Sequence, residues 1–195
     1  MVAGHTRMNA ATMNVAVETQ RICAMLEHAE IDQRAFLDRS ARLVAEAVGC
    51  SRAGIWVFVG TLNGRMMHCL AMYDGVKNRM TTVADHPPGD HVSVYFQTLE
   101  KVGYVIATDA RTHFATAGFF AEHLEPRGVQ SMMAASFSVN GKLYGAFTCA
   151  QVGSQIEWAR PQLNVLRQIG ARVSLALATH AARTAMDTRP APFIN

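Results

Sequence analysis

Cysteine is scarce in this chain. The four present (Cys23, Cys50, Cys69 and Cys149) lie far apart, so neither a disulfide framework nor a CxxC metal knuckle is readable. That usage sets the expected compartment as a reducing cytoplasm. No apolar run approaches the roughly 18 residues needed to cross a bilayer. The opening segment, Met1 to Thr12, is polar and small, without the basic stretch and apolar run of a secretory leader. GxGxxG, GxxxxGK[ST], GxSxG and HExxH are all missing, which weighs against nucleotide hydrolysis, serine hydrolase and zinc protease chemistry. Charged residues make up only 17%, while half the chain is hydrophobic and the mean hydropathy is +0.07. A chain of that composition buries a core, so disorder and low complexity are excluded.

The 195 residues and 21.3 kDa suit one ordinary domain with modest extensions. The net charge of +3 is unevenly spread. Residues 1–30 hold two Arg and three Glu, for −1, and residues 31–154 hold eleven Lys and Arg against ten acids, for +1. Residues 155–195 hold five Arg and two acids, for +3. The excess sits on the C-terminal segment, where spaced arginines on a solvated helix face explain it more simply than nucleic acid does. Neither a nucleic-acid nor a membrane partner is expected.

Residues 7–29 lack Pro and Gly and read as a helix, with Met8, Val15, Ile22 and Ala29 recurring every seven residues. Ala11 and Met25 are offset by three, and Glu18 spoils the stripe. The pattern fits either a short self-associating helix or one lying on its own domain. A second helix starts at Asp32, a good N-cap preceded by Ile31, carries Phe36, Leu37, Ser40, Leu43, Val44 and Ala47 on one face, and ends at Gly49. Ala53–Val59 (AGIWVFV) reads as a buried strand, Asn63-Gly64 as a hairpin turn, and Met66–Tyr73 and Met80–Val83 as strands. Two prolines and a glycine bar regular structure from Asp85–Asp90 (DHPPGD), after which Asp90 caps a helix running through Lys101. That helix carries Val92, Tyr95, Phe96 and Leu99 on one side. Next come a strand at Tyr104–Thr108 and a helix at Phe114–Glu125 stopped by Pro126 and Gly128. Strands Val129–Val139 and Leu143–Val152 follow, joined at Asn140-Gly141. The last helix, from about Gln155 to Arg183, repeats Ile156, Ala159, Leu163, Leu166, Gly170, Val173 and Leu177. Local hairpins predict an α+β domain with a largely antiparallel sheet and helices on both faces. The expected division is 1–30 as a helical extension, 31–183 as a single domain, and 184–195 as a flexible tail.

Several short strings give this order a second meaning. They are Gly49-Cys50-Ser51-Arg52-Ala53-Gly54-Ile55-Trp56, Tyr95-Phe96-x-x-Leu99-Glu100, and Val105-Ile106-x-x-Asp109-Ala110-Arg111-Thr112. Leu124-x-Pro126-x-Gly128-Val129-x-Ser131-Met132 follows, then Gly141-x-Leu143-x-Gly145 and Trp158. Together, from about Ile31 to Leu177, they resemble a GAF domain, the small-molecule sensor module of bacterial signalling proteins. The likeness is closest to the subgroup beside histidine kinases and diguanylate cyclases. It implies a roughly six-stranded antiparallel sheet with terminal helices on one face and a ligand pocket on the other.

A two-residue turn at Asn140-Gly141 sets Val139 opposite Lys142, and side chains alternate along each strand. Met133, Ala135 and Phe137 then share a face with Tyr144, Ala146 and Thr148. The other face holds Met132, Ala134 and Ser136 with Gly145, Phe147, Cys149 and Gln151. The resemblance puts an acid at Ala134 and a His-Glu-His-like set at Cys149, Ala150 and Gln151, so this second face is expected to be the pocket. A slip of one residue inverts the assignment. Ala134, Cys149 and Gln151 lack the ionising or metal-binding groups of the relatives, which points to a largely apolar hollow with a few neutral hydrogen-bonding groups.

Tyr95, Phe96 and Phe119 are read as pocket aromatics, with core packing as the alternative. Asp109 is a ligand acceptor or the cap of the Ala110–Thr112 turn. His113 either points into the pocket or is solvated, and so does His123. Asp85-His86 and Asp90-His91 repeat at a spacing of five that fits a solvated loop better than a metal site. No metal is expected. Bilin chromophores in phytochrome relatives use a Cys followed by His on a helix, whereas here His68-Cys69 stand in reverse order on a strand. Haem on His91 or His113 is open, with nothing in the pattern to support it.

The expected function is therefore a non-enzymatic sensor that binds a small, largely uncharged ligand. It is expected to pair as a homodimer through its terminal helices and to act through a kinase or cyclase partner in trans. The alternative is a thiol redox enzyme of the free methionine sulfoxide reductase type using Cys149, which needs a resolving thiol nearby and a lowered pKa. A third reading is an interaction module whose pocket is collapsed by aromatics between Tyr95 and Phe147.

Overall fold

The computed structural model describes residues 3–60, 65–85, 92–139 and 141–187. Two helices, α1 (Ala3–Glu27) and α2 (Gln33–Val48), lead into strands β1 (Arg52–Val59), β2 (Met66–Asp74) and β3 (Arg79–Met80). Helix α3 (Ser93–Lys101) and strand β4 (Tyr104–Ala107) follow. A short helix α4 (Ala117–Phe119) then runs on as a π turn (Phe120–Leu124) and a 3-10 turn (Glu125–Arg127). Strands β5 (Val129–Val139) and β6 (Lys142–Val152) precede the closing helix α5 (Arg160–Asp187). The six strands form one antiparallel sheet in the order β3-β2-β1-β6-β5-β4. The α+β class and the six-stranded sheet expected from the sequence are what the molecule has.

The sheet separates two apolar layers. On one face α1, α2 and α5 cover Ile55, Met133, Phe147 and Cys149, with Phe36, Val44 and Leu166 among the helix residues that meet them. On the other, α3 and the α4 segment cover Trp56, Val105, Met132 and Ala134, through Tyr95, Phe96 and Phe119. The α2 ends follow their sequence signals. The Asp32 side chain accepts from Ala35 N at 2.7 Å, and Gly49 closes the helix at φ 74°, a left-handed conformation suited to glycine.

Two helices differ from expectation for local reasons. The α5 helix starts at Arg160, not near 155, because Ile156 N is drawn to the Ser131 Oγ (2.8 Å) and Ala159 N to Gln162 Oε1 (2.8 Å). Pro161 then fits a first turn, where its missing N–H removes no helix bond. The Phe114–Glu125 stretch is only partly α-helical. The Thr116 hydroxyl donates to Ala110 O (2.7 Å) and Ala115 N to His113 Nδ1 (3.2 Å), side-chain bonds that compete with a regular helix. Likewise β3 covers only Arg79–Met80, and Thr81–Val83 line a cavity instead.

The Asn63-Gly64 turn, Asn140, the Asp90 cap with its flanking loop at 86–91, and the tail from 188 lie outside the described residues, as do the side chains of Met8 and Ala11. The apolar repeat of α5 is spent inside the domain. Leu163, Leu166 and Val173 are buried, and a Cβ on Gly170 would sit 3.0 Å from the Phe147 ring. Those residues of the repeat face the chain's own sheet, so pairing through the terminal helices has to use their other, exposed faces. Among the described residues, no helix is long and apolar enough to cross a membrane.

Candidate ligand-binding site

A cavity of about 320 Å³ opens on the face away from the terminal helices. Its floor is the sheet. Arg52, Trp56 and Gly54 alternate along β1, with Ala150, Ala146 and Thr148 opposite them on β6. Met67 and Met72 of β2 and Met132 of β5 complete the apolar wall, and Val92, Phe119 and Leu124 roof it. A Cβ on Gly54 would meet Trp56 Nε1 at 2.6 Å and Thr148 Oγ1 at 2.9 Å, so glycine there lets the indole and hydroxyl close on each other. Trp56 Nε1 donates to Thr148 Oγ1 at 3.0 Å, which satisfies a buried indole N–H.

One end of the cavity is polar and organised around Asp74. Its carboxylate pairs with Arg52 Nε at 3.0 Å and accepts from Lys77 N at 3.1 Å. Burial pushes this carboxyl up, but the Lys77 amide and the Arg52 guanidinium outweigh it and hold the group below the usual range. Arg52 Nη1 also donates to Arg127 O at 2.9 Å, and Arg127 Nη1 donates to His123 O. Lys77, Arg127 and His123 all line the cavity.

Half of the expected pocket face is on the wrong side. Val139 pairs with Lys142 and Ser138 with Leu143, as the turn requires, but Phe137 then pairs with Gly145. Tyr144 is the extra residue of a β-bulge, and beyond it every β6 side chain changes face. Met132 and Ala134 therefore share their face with Ala146, Thr148 and Ala150, while Phe147 and Cys149 lie beneath the terminal helices. The bulge places Gly145 against β1, where a Cβ would come within 2.1 Å of Trp56 O. Gln151, paired with Ser131, lines a shallow groove beside Cys50 and Gly49 instead. With Phe147 removed from this face, an aromatic plug between it and Tyr95 does not exist.

The other expected residues divide. Phe119 and Met132 line the cavity, and Ala134 is buried in the same layer. Ser136 points at α3, with its Oγ 3.2 Å from both Leu99 O and Gly103 O. Tyr95 and Phe96 stand behind the roof: Tyr95 meets the Phe119 ring edge-on at 5.3 Å, and Phe96 meets Phe58 at 4.9 Å. Asp109 accepts from Arg111 N at 2.9 Å, the turn-capping alternative. His113 accepts from Ala115 N and lies against Phe114, with burial holding the ring toward its neutral form. His123, by contrast, faces the cavity. Arg52, Trp56, Lys77, Arg127 and Thr148 were not anticipated. The alternation Arg52-x-Gly54-x-Trp56 was the available signal, and Gly145 inside a strand was the signal for the bulge.

All four cysteines are free. Burial and the neighbouring Cys50 push the Cys149 thiol well above its ordinary value, the reverse of a nucleophile. Among the described residues, no group of three or more His, Cys, Asp or Glu is placed to hold a metal ion.

Sheet, helices and cavity define a small-molecule sensor fold of the GAF type. The GAF domain family model matches residues 32–177, and the chain belongs to that family. Its fold is similar to the phycocyanobilin-bound GAF domain of a cyanobacterial phytochrome, at 15% identity and TM-score 0.68 over 88% of this chain and 96% of that one. It is also similar to the blue-light absorbing form of the Thermosynechococcus elongatus PixJ GAF domain, at 12% identity and TM-score 0.62 over 80% and 90%. The Stigmatella aurantiaca phytochrome photosensory core module aligns at 14% identity and TM-score 0.63, covering 93% of this chain but 38% of that longer one. No curated protein sequence matches the chain. The family match supports a sensory ligand-binding domain, the structural likenesses support its fold, and neither gives the thiol redox enzyme support.

Proposed function

We propose that this GAF domain binds a small organic ligand non-covalently and signals its occupancy to a partner protein in the cytoplasm. The carrying observation is the cavity of about 320 Å³ over the sheet. That volume lies at the lower end of the roughly 300–1,000 Å³ typical of small-molecule sites. A ligand touching Val92 and Phe119 draws the α3 and α4 segments toward the sheet, and the sheet carries the shift to the terminal helices behind it. Coupling of this kind needs only about 1–3 kcal/mol of differential affinity. The chain acts as a homodimer through α1 and α5, a reading supported by Val17 and Leu175, which are 62% and 70% exposed on those helices. Output runs in trans through a histidine kinase or diguanylate cyclase, the setting that the resemblance implies.

The bilins of the similar structures suggest a photoreceptor, but the residues present do not fit that group. No cysteine lines the cavity, so a covalent tether is missing there. Cys69, on the pocket side of β2, is pushed up to about 11 by burial and by Asp85. His113 is committed to the Ala115 amide and does not support haem.

The test is native mass spectrometry of the purified full chain beside Met132→Trp, which fills the cavity from its floor. A retained small molecule, released on denaturation and absent from the variant, supports the reading. An equal load on both proteins, or no retained compound and no thermal stabilisation by a cell metabolite extract, contradicts it.

A further inference from the structure

The polarity of the cavity is segregated. Trp56 lies four residues along β1 from Arg52, about 13 Å at the rise of a strand. Around Trp56 the lining is apolar, with Met67, Phe119 and Met132; around Arg52 it is Lys77, Arg127 and Asp74. Among the described residues three cations therefore meet one carboxylate at this end, and Asp74 is already paired with Arg52 at 3.0 Å. Among the described residues Arg127 forms no ion pair within 4 Å, while the Lys77 charge acts on Asp74 from beyond direct contact. The nearest acids on the neighbouring segment are engaged elsewhere, Glu125 with Arg111 and Glu122 beside His123 at 3.8 Å.

The cationic end is also held in place. Arg127 is fixed at both ends, its carbonyl by Arg52 Nη1 and its own Nη1 by His123 O, and the Lys77 amide is tied to Asp74. Lys77 itself is exposed, and only its backbone is tied down. A concave site with an excess of positive charge concentrates anions, and the Arg127 guanidinium and Lys77 ammonium that line this end can each offer charge-assisted bonds to an acid group.

Building on the sensory reading, we propose that the cavity selects a compact organic anion, with an apolar body against Trp56 and Met132 and one acidic head between Lys77 and Arg127. This replaces the largely uncharged ligand that the sequence alone predicts. Carboxylate and phosphate ester heads share that chemistry, and the test separates them.

The probes are indole-3-acetate, its neutral amide indole-3-acetamide, and phenyl phosphate, titrated into the full chain and followed by protein NMR. The expected result is that at least one acid binds about tenfold or more tighter than the amide. The carboxylate or the phosphate arm then names the head. Lys77→Met and Arg127→Met each weaken the acid about tenfold and leave the amide unchanged. Raising salt from about 50 to about 500 mM weakens the acid alone, because the cavity end is partly open to solvent. Amide binding equal to acid binding, or acid binding indifferent to both substitutions, overturns the anion proposal. The cavity reading survives that outcome if Met132→Trp still abolishes amide binding. Failure of all three probes to bind overturns the anion proposal, and the cavity reading is then decided by native mass spectrometry of the parent beside Met132→Trp.

Discussion

Replacing Phe147 by alanine separates the two faces of the sheet with one side chain. The ring is 1% exposed, meets Phe137 at a centroid distance of 5.4 Å, and packs onto α5 where Gly170 offers no side chain. β6 is hydrogen-bonded on both sides and α5 is packed on the sheet, so the gap left by the ring is expected to close only in part. Phe→Ala substitutions in such settings cost about 3–5 kcal/mol, and the upper half of that range is expected here. With a typical domain stability of about 5–15 kcal/mol the variant still folds. Its urea midpoint falls by about 1.3–5 M for a slope of about 1–3 kcal/mol/M. Circular dichroism during urea unfolding measures the loss, and titration with a cavity ligand at low temperature measures binding in the folded fraction. The ligand is expected to bind Phe147→Ala and the parent equally. A loss below about 1.5 kcal/mol, or altered ligand affinity with the fold intact, would place Phe147 at the pocket after all.

Two further outcomes follow from buried polar groups. The Tyr95 hydroxyl is fully buried and has no hydrogen-bond partner among the described residues, so Tyr95→Phe is expected to be neutral or to stabilise by about 1 kcal/mol in the same unfolding assay. A loss above about 1 kcal/mol would show that the hydroxyl has a partner. Asp74 has its carboxyl held below the usual value, while the unfolded chain titrates near 3.9. At acid pH the unfolded state therefore binds the extra proton, and the contribution of the Arg52 pair is present above about pH 4 and lost as pH falls through the lower folded value. Asp74→Asn is expected to cost about 2–4 kcal/mol at pH 7 and to flatten this part of the acid stability profile. An unchanged slope would refute the pairing.

The sequence made the elements readable because their signals are local: Asp32 as a cap, Gly49 as a left-handed stop, and the alternation of the β1 strand. It made the pocket half readable. Met132 and Ala134 fall on the expected face because β5 runs straight from the turn to them. Phe147, Cys149 and Gln151 do not, because one additional residue at Tyr144 shifts the β6 register, and a bulge is set by contact of Gly145 with β1, not by the turn. The cationic end was invisible for a different reason. Arg52, Lys77 and Arg127 come from three separate segments, and each in isolation reads as a solvated charge. The α5 repeat looked like a dimer seam because a stripe covered by its own sheet and one covered by a second copy have the same spacing.

The chain has two tryptophans, which makes its indole N–H resonances direct reporters of where a ligand sits. Trp56 lines the cavity, whereas Trp158 is buried on the opposite face beneath the helices. In a proton–nitrogen correlation spectrum, addition of a bound compound is predicted to shift the Trp56 indole peak and leave that of Trp158 in place. Movement of the Trp158 peak alone, or of neither peak under conditions where the compound binds, would contradict a ligand site over this sheet.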